Sequence, residues 1–348
     1  MKISREVFDQ QRRPRFGNAN PERMKLAFWE WMIRGDDAPP TDGGSPLEEL
    51  GLRMREGKLK SRYGPYHARD LFHIPLNRED GPIWTFDRMG ATRTQLADGR
   101  VICVGGEHED FYDPDFYIYN DVVVLGPAGE IEIYGYAKEV FPPTDFHTAT
   151  VAGDRILIIG CLGYKNDRRP EHTPVYVLDP SQYRISEIAT SGEMPGWISE
   201  HEASYDREGV ITIRRGQVIQ GHSNHQQTRR NFEDYALDMK SWVWQRLTNR
   251  NWLEFSIRQE KGLFVLEHRP KPEALLPRDI EYTIVPCEGQ EDARIIVAGV
   301  PVSLTLGVKY IEVVVEGHMP AALAAGVAEA IRTNAEATVQ RRCILEQM

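Results

Sequence analysis

The sequence predicts a mainly β chain built on an array of four-stranded propeller blades, and three observations predict it. A pattern that opens with Thr85 to Thr92 and closes at Leu125 is written twice more downstream. Setting Val101 on Ile156 and Ile156 on Val210 gives offsets of 55 and 54 residues, and strand-bearing repeats with a period of about 50 are the mark of propeller blades. In the first two copies a short run of branched residues ends in glycine, Val101 to Val104 before Gly105-Gly106 and Ile156 to Ile159 before Gly160-Cys161. Such runs are too short for a buried helix and read as strands covered on both faces.

Taken in order, the chain divides into an N-terminal helical region (1–82), the repeats (83–252) and a C-terminal segment (253–348). Asn20-Pro21 reads as a cap and first-turn proline for a helix carrying Met24, Ala27, Phe28, Trp31 and Met32, stopped by Gly35. Ser45-Pro46-Leu47-Glu48 has the form of a capping box for a second helix that ends by Gly57. Lys58 to Arg69 interleaves basic side chains with Tyr63, Tyr66 and His67, which reads as a solvated linker or a brace on an acidic body. Within the repeats, Asp98-Gly99 and Gly153-Asp154 supply hairpin turns. Three copies leave the closure of a ring unexplained, because exposed edges must be paired or covered. Ile83 to Thr85 reads as the last strand of an incomplete blade, and the apolar stretches beginning at Leu253, Leu263, Glu281 and Ile295 read as degenerate fourth or fifth blade strands merging into a small C-terminal α+β unit, the alternative being that they belong to a separate α+β unit. Val300 to Leu306 and Val308 to Val315 are strands parted by Gly307, and Pro320 opens an alanine-rich helix with Leu323, Val327, Ala330 and Ile331 on one face, fit to cover the strands or to meet a second copy.

Composition narrows the function classes. The 348 residues carry a formal charge of −10, with 14 basic against 10 acidic residues up to Arg69 and 28 against 42 beyond it. An acidic body repels nucleic acid and draws in basic partners. No stretch reaches the roughly 18 consecutive apolar residues of a membrane span, and the N-terminus has no apolar signal core, so a cytoplasmic protein is expected. Cys103, Cys161, Cys287 and Cys343 lie far apart and read as structural thiols.

The glycine pair after an apolar strand, the turn before it, the downstream Tyr or Asp strand and the trailing Trp242 and Trp244 resemble Kelch repeats over about half of the chain. With Phe141-Pro-Pro-Thr-Asp-Phe-His147 and the stretch Gly105 to Phe116, the chain is similar to a group of bacterial Kelch-containing proteins, some of them joined to ankyrin repeats. The resemblance implies a propeller, or part of one, of four or five blades, and no particular reaction; Kelch propellers mostly bind proteins, and a minority are enzymes. Two departures stand out: Cys161 replaces the second glycine in copy two, and Arg214-Arg215 replace the pair in copy three.

The candidate site is the insert after the first glycine pair, where Glu107, His108, Glu109, Asp110, Asp113 and Asp115 are threaded with Phe111, Tyr112 and Tyr117. The matching inserts carry Tyr164, Arg168 and Arg169 in copy two and His222 and His225 in copy three, and all three should leave the array on one side. Rigid aromatics with carboxylates suit a basic protein partner, for example a toxin domain covered by an immunity or accessory protein. Alternatively, the carboxylates and His108 could serve a metal-assisted or sugar-modifying enzyme centred on His108, Glu109 and Asp113. In the nitrile-specifier type of Kelch enzyme, iron is held by Glu, Asp and His at spacings of four; Glu109 and Asp113 match, but the third position is Tyr117. No phosphate-loop, hydrolase-elbow or zincin motif is present, and no cofactor is expected. His147 and His201 recur with the repeat and are expected to do a structural job, such as bonding a neighbouring strand's backbone.

Overall fold

The computed structural model describes residues 3–34, 86, 88–108, 117–221, 226–250, 252–262, 271–286 and 292–348, the side chain of His108 excepted. The chain forms two compact units, Met1–Thr248 and Asn249–Met348. Among the described residues the structure is mainly β, in several antiparallel sheets, none of them closed.

The first unit holds three sheets of one design. Four consecutive strands run up and down in spatial order: Thr92–Gln95, Val101–Val104, Val122–Leu125 and Ile131–Gly135 in the first sheet. The second sheet is Thr148–Ala152, Arg155–Ile159, Val175–Leu178 and Ile185–Glu187. The third is Glu202–Tyr205, Val210–Arg214, Tyr235–Asp238 and Val243–Arg246, with Ser191–Gly192 parallel to its last strand. The opening strands of the first and second sheets lie side by side, as do those of the second and third.

Alternation along the second strand explains the stacking. Ile156 and Ile158 pack with Ile102, Val104, Val122 and Val124 of the first sheet. Leu157 and Ile159 turn the other way, onto Ile211, Ile213, Leu237 and Trp244 of the third. All four are fully buried, so this strand is covered on both faces, as its continuous apolar run requires. Each such side chain contributes about 1.5–3 kcal/mol of burial.

The first sheet's other face is closed by the N-terminal segment. Helix α1 (Arg5–Gln11), capped by Ser4, and helix α2 (Ala27–Arg34) set Phe8, Phe28, Trp29 and Trp31 against Cys103, Val123, Leu125 and Ile133. Residues before α2 depart from expectation: Asn20-Pro21 is no helix cap, and Glu22–Met24 is a strand that adds to the outer edge of the first sheet, pairing with Ile133–Gly135. The Asn20 amide reaches the second sheet instead, where it accepts from Ile185 N at 2.9 Å and donates to Ile185 O at 2.6 Å. A backbone edge with free donors and acceptors outbids a local helix start.

Beneath α2, Arg88 is enclosed by Tyr119 at 3.6 Å and Trp29 at 4.8 Å and pairs in bidentate fashion with Asp121. A pair this deeply buried is costly to break from one side, by about 3–5 kcal/mol, because the abandoned charge stays desolvated.

In the second unit one six-stranded sheet runs in the order Thr283–Val285, Asp292–Val297, Val300–Leu306, Tyr310–Val315, Leu253–Gln259 and Cys343–Gln347. The stretches beginning at Leu253, Glu281 and Ile295, expected to supply a degenerate blade merging into an α+β unit, are strands of this one sheet instead. Helix α3 (Ala321–Val339) covers one face, burying Ala324, Val327, Ala328, Ile331 and Ala335 with Ile295, Val302, Leu304 and Val313. The stretches around Ser45–Gly57, Lys58–Arg69, Ile83–Thr85, Leu263 and Cys287 lie outside the described residues.

Candidate interaction site on the insert side

Each junction between sheets is made by a short extended segment leading into the next opening strand. The Thr144 carbonyl accepts from Gly106 N at 2.8 Å, and Phe146 N donates to Gly90 O at 2.8 Å. One repeat on, the Ile198 carbonyl accepts from Cys161 N at 2.9 Å and Glu200 N donates to Phe146 O at 2.8 Å. Gly90, Phe146 and Glu200 share a left-handed backbone, with φ of 65°, 48° and 56°. The histidines that follow close each junction. His147 Nε2 lies 2.9 Å from Thr92 Oγ1, and His201 Nε2 lies 2.9 Å from Thr148 Oγ1. Burial holds both imidazoles neutral, lowering His147 to about 3, with His201 adding to the effect, and His201 to about 4. The bond expected to a neighbouring strand's backbone goes instead to a threonine side chain of that strand.

Strand register also corrects the third copy. Thr92 faces Val104, Thr148 faces Ile159 and Glu202 faces Arg214, so the residues equivalent to Gly105-Gly106 and Gly160-Cys161 are Arg215 and Gly216. The sequence reading was one residue early.

The inserts leave from these junctions, and their described parts meet. Glu107–His108 pairs with Tyr117–Ile118, making a two-stranded stem for the first insert. At its foot Ile118 N donates to the Tyr164 hydroxyl of the second insert at 2.8 Å. From the third insert, which folds as Gln217–Gln220 against Gln227–Arg230, Gln226 Nε2 donates to Lys165 O at 3.2 Å. The three excursions are therefore joined in sequence, first to second to third.

A buried acid pair sits where the first two inserts converge. Asp145, fully buried in the segment between the sheets, accepts from Gly163 N at 2.6 Å through Oδ1. The buried Glu107 carboxyl acts on it from the first insert. Burial raises the Asp145 pKa against the opposing pull of Gly163 N, Glu107 and the Arg168 charge. Cys161 beside it is pushed up first by burial and then by Asp145, which leaves an inert thiol. Arg168 is half-buried and turned inward, donating to the Leu162 and Gly163 carbonyls at 2.9 and 3.1 Å, so it shapes the second insert. Arg169 points outward near Glu187.

Of the sequence candidates, Glu107, Tyr117, Tyr164 and Arg168 are brought to this junction. Glu109, Asp110, Phe111, Tyr112, Asp113, Asp115, His222 and His225, with the His108 side chain, lie outside the described residues. Among the described residues, no group of three or more His, Cys, Asp or Glu is placed to hold a metal ion. Among them, too, no helix is long and apolar enough to cross a membrane. Sequence reasoning missed Asp145, Thr92 and Thr148. A usable signal existed: Thr144 to His147 and Ile198 to His201 stand at the same distance before their strands. No family model matches the chain, and no curated protein matches it.

Proposed function

We propose that the chain is a protein-interaction module whose first unit is a Kelch-type propeller, or part of one, presenting unlike inserts to a basic protein partner. The observation that carries this reading is the joining of three inserts of different chemistry through Tyr164 and Lys165, on a scaffold of stacked sheets. The first insert springs from a paired stem, Glu107–His108 against Tyr117–Ile118, and its sequence between those strands, Glu109 to Phe116, is acidic and aromatic. Carboxylates there would steer Arg and Lys of the partner, and the aromatics would supply buried area. An immunity or accessory role in a bacterial cytoplasm, covering a basic toxin domain, fits the same chemistry.

The test is capture from the native host with the full chain as bait, followed by titration with salt. A basic protein should be retained and should leave as ionic strength rises, and Glu109→Lys with Asp113→Lys should weaken capture at least tenfold at low salt. Recovery of no protein, or retention indifferent to salt and to both charge reversals, overturns the proposal.

A further inference from the structure

The repeated junction has a steric requirement that the third sheet does not meet. At the first junction a Cβ on Gly105 would stand 2.2 Å from the Thr144 carbonyl oxygen, and at the second a Cβ on Gly160 would stand 2.3 Å from the Ile198 carbonyl oxygen. Real side chains do not tolerate such distances, so the incoming segment can dock only over glycine. Both glycines also hold left-handed backbones, φ 55° and 70°. In the third sheet the equivalent residue keeps that backbone, φ 58°, but is Arg215 and carries a Cβ where the next carbonyl would have to sit.

Two further differences fall at the same end. The threonine that receives a histidine in the first two sheets, Thr92 and Thr148, is replaced at this register by Glu202, whose carboxylate takes Arg215 Nη1 at 2.6 Å. The face of the third sheet turned away from Ile211, Ile213 and Trp244 is largely polar, bearing Glu202, Ser204, Thr212, Arg214, Asp238 and Gln245 with Val210, Ala236 and Val243 between them. A terminal repeat with a polar outer face ends a stack.

We infer that Arg215 is the stop residue of the array: standing where the preceding sheets have glycine, it excludes a fourth docking segment, whether from this chain or from a second copy. Glu202 holds the guanidinium across the vacated threonine position. The three-sheet stack thus ends by a built exclusion at this register.

The experiment uses the full chain and a synthetic peptide spanning Val140 to Ala149, the segment that docks at the first junction. The peptide is titrated into the unaltered protein and into the double variant Arg215→Gly with Glu202→Thr, with thermal melting to establish that both are folded. Binding should be at least tenfold tighter to the double variant. In parallel, Gly160→Ala and Gly160→Arg should lower the melting temperature and strip exchange protection from the Cys161 and Glu200 amides, whereas Arg215→Gly alone should leave that protection in place. Equal binding to both proteins, failure of the folded double variant to gain binding, or undiminished protection in Gly160→Ala would each overturn the assignment.

Discussion

His147 and His201 show how a repeat can make its joints from uncharged imidazole. Each spends Nε2 on a threonine of the preceding sheet, and neither Nδ1 has a partner among the described residues. In the unfolded chain both titrate near the ordinary value of about 6.5, while in the folded chain they hold out to about 3 and about 4. The unfolded state therefore binds more protons across that interval, and stability falls as pH drops below about 6.5, by about 2 kcal/mol for each histidine at pH 5. Melting temperatures measured from pH 7 to 4 should trace this loss. The pair His147→Gln with His201→Gln should flatten the slope, and an unchanged slope would remove the histidines as its cause.

At the scale of elements, the strands were legible where the information is local. Val101 to Val104 and Ile156 to Ile159 declare themselves by branched residues and a terminal glycine, and the two histidines by their recurrence. Glu22–Met24 was not legible, because three residues carry no period and its partner strand lies more than 100 residues away. Asn20 misled for a related reason: Asn before Pro looks the same whether the amide caps a helix or reaches across to Ile185. Replacing it tests that clamp. Asn20→Ala should cost about 1–3 kcal/mol by deleting two partly buried hydrogen bonds and should speed exchange of the Ile185 amide. A variant with native stability and exchange would mean that the strand pairing alone holds the segment. The Glu107 and Asp145 contact was beyond the sequence because it joins an insert to a lead-in across 38 positions that no periodicity relates.

For the molecule as a whole, the fold divides the chain into two units with separate cores. In the C-terminal unit the alanine-rich stripe of α3 serves the sheet beneath it, because small side chains let the helix approach Val302 and Leu304 closely. Ile331 is the largest fully buried side chain that α3 contributes to that core. Ile331→Ala should cost about 2–5 kcal/mol, according to how far the site can collapse. Hydrogen exchange would locate the loss: protection should fall in Asp292–Val297 and Tyr310–Val315, and uniform loss through the first unit as well would show the two units unfolding as one.

The pairing of Glu22–Met24 with Ile133–Gly135, and of Asn20 with Ile185, also bears on synthesis. On the ribosome the amino-terminal segment emerges first, yet its partners follow it by more than 100 and by 165 positions. The nascent chain must carry Phe8, Phe28 and Trp29 uncovered until the first sheet has been translated, which leaves apolar surface open to misassembly during synthesis.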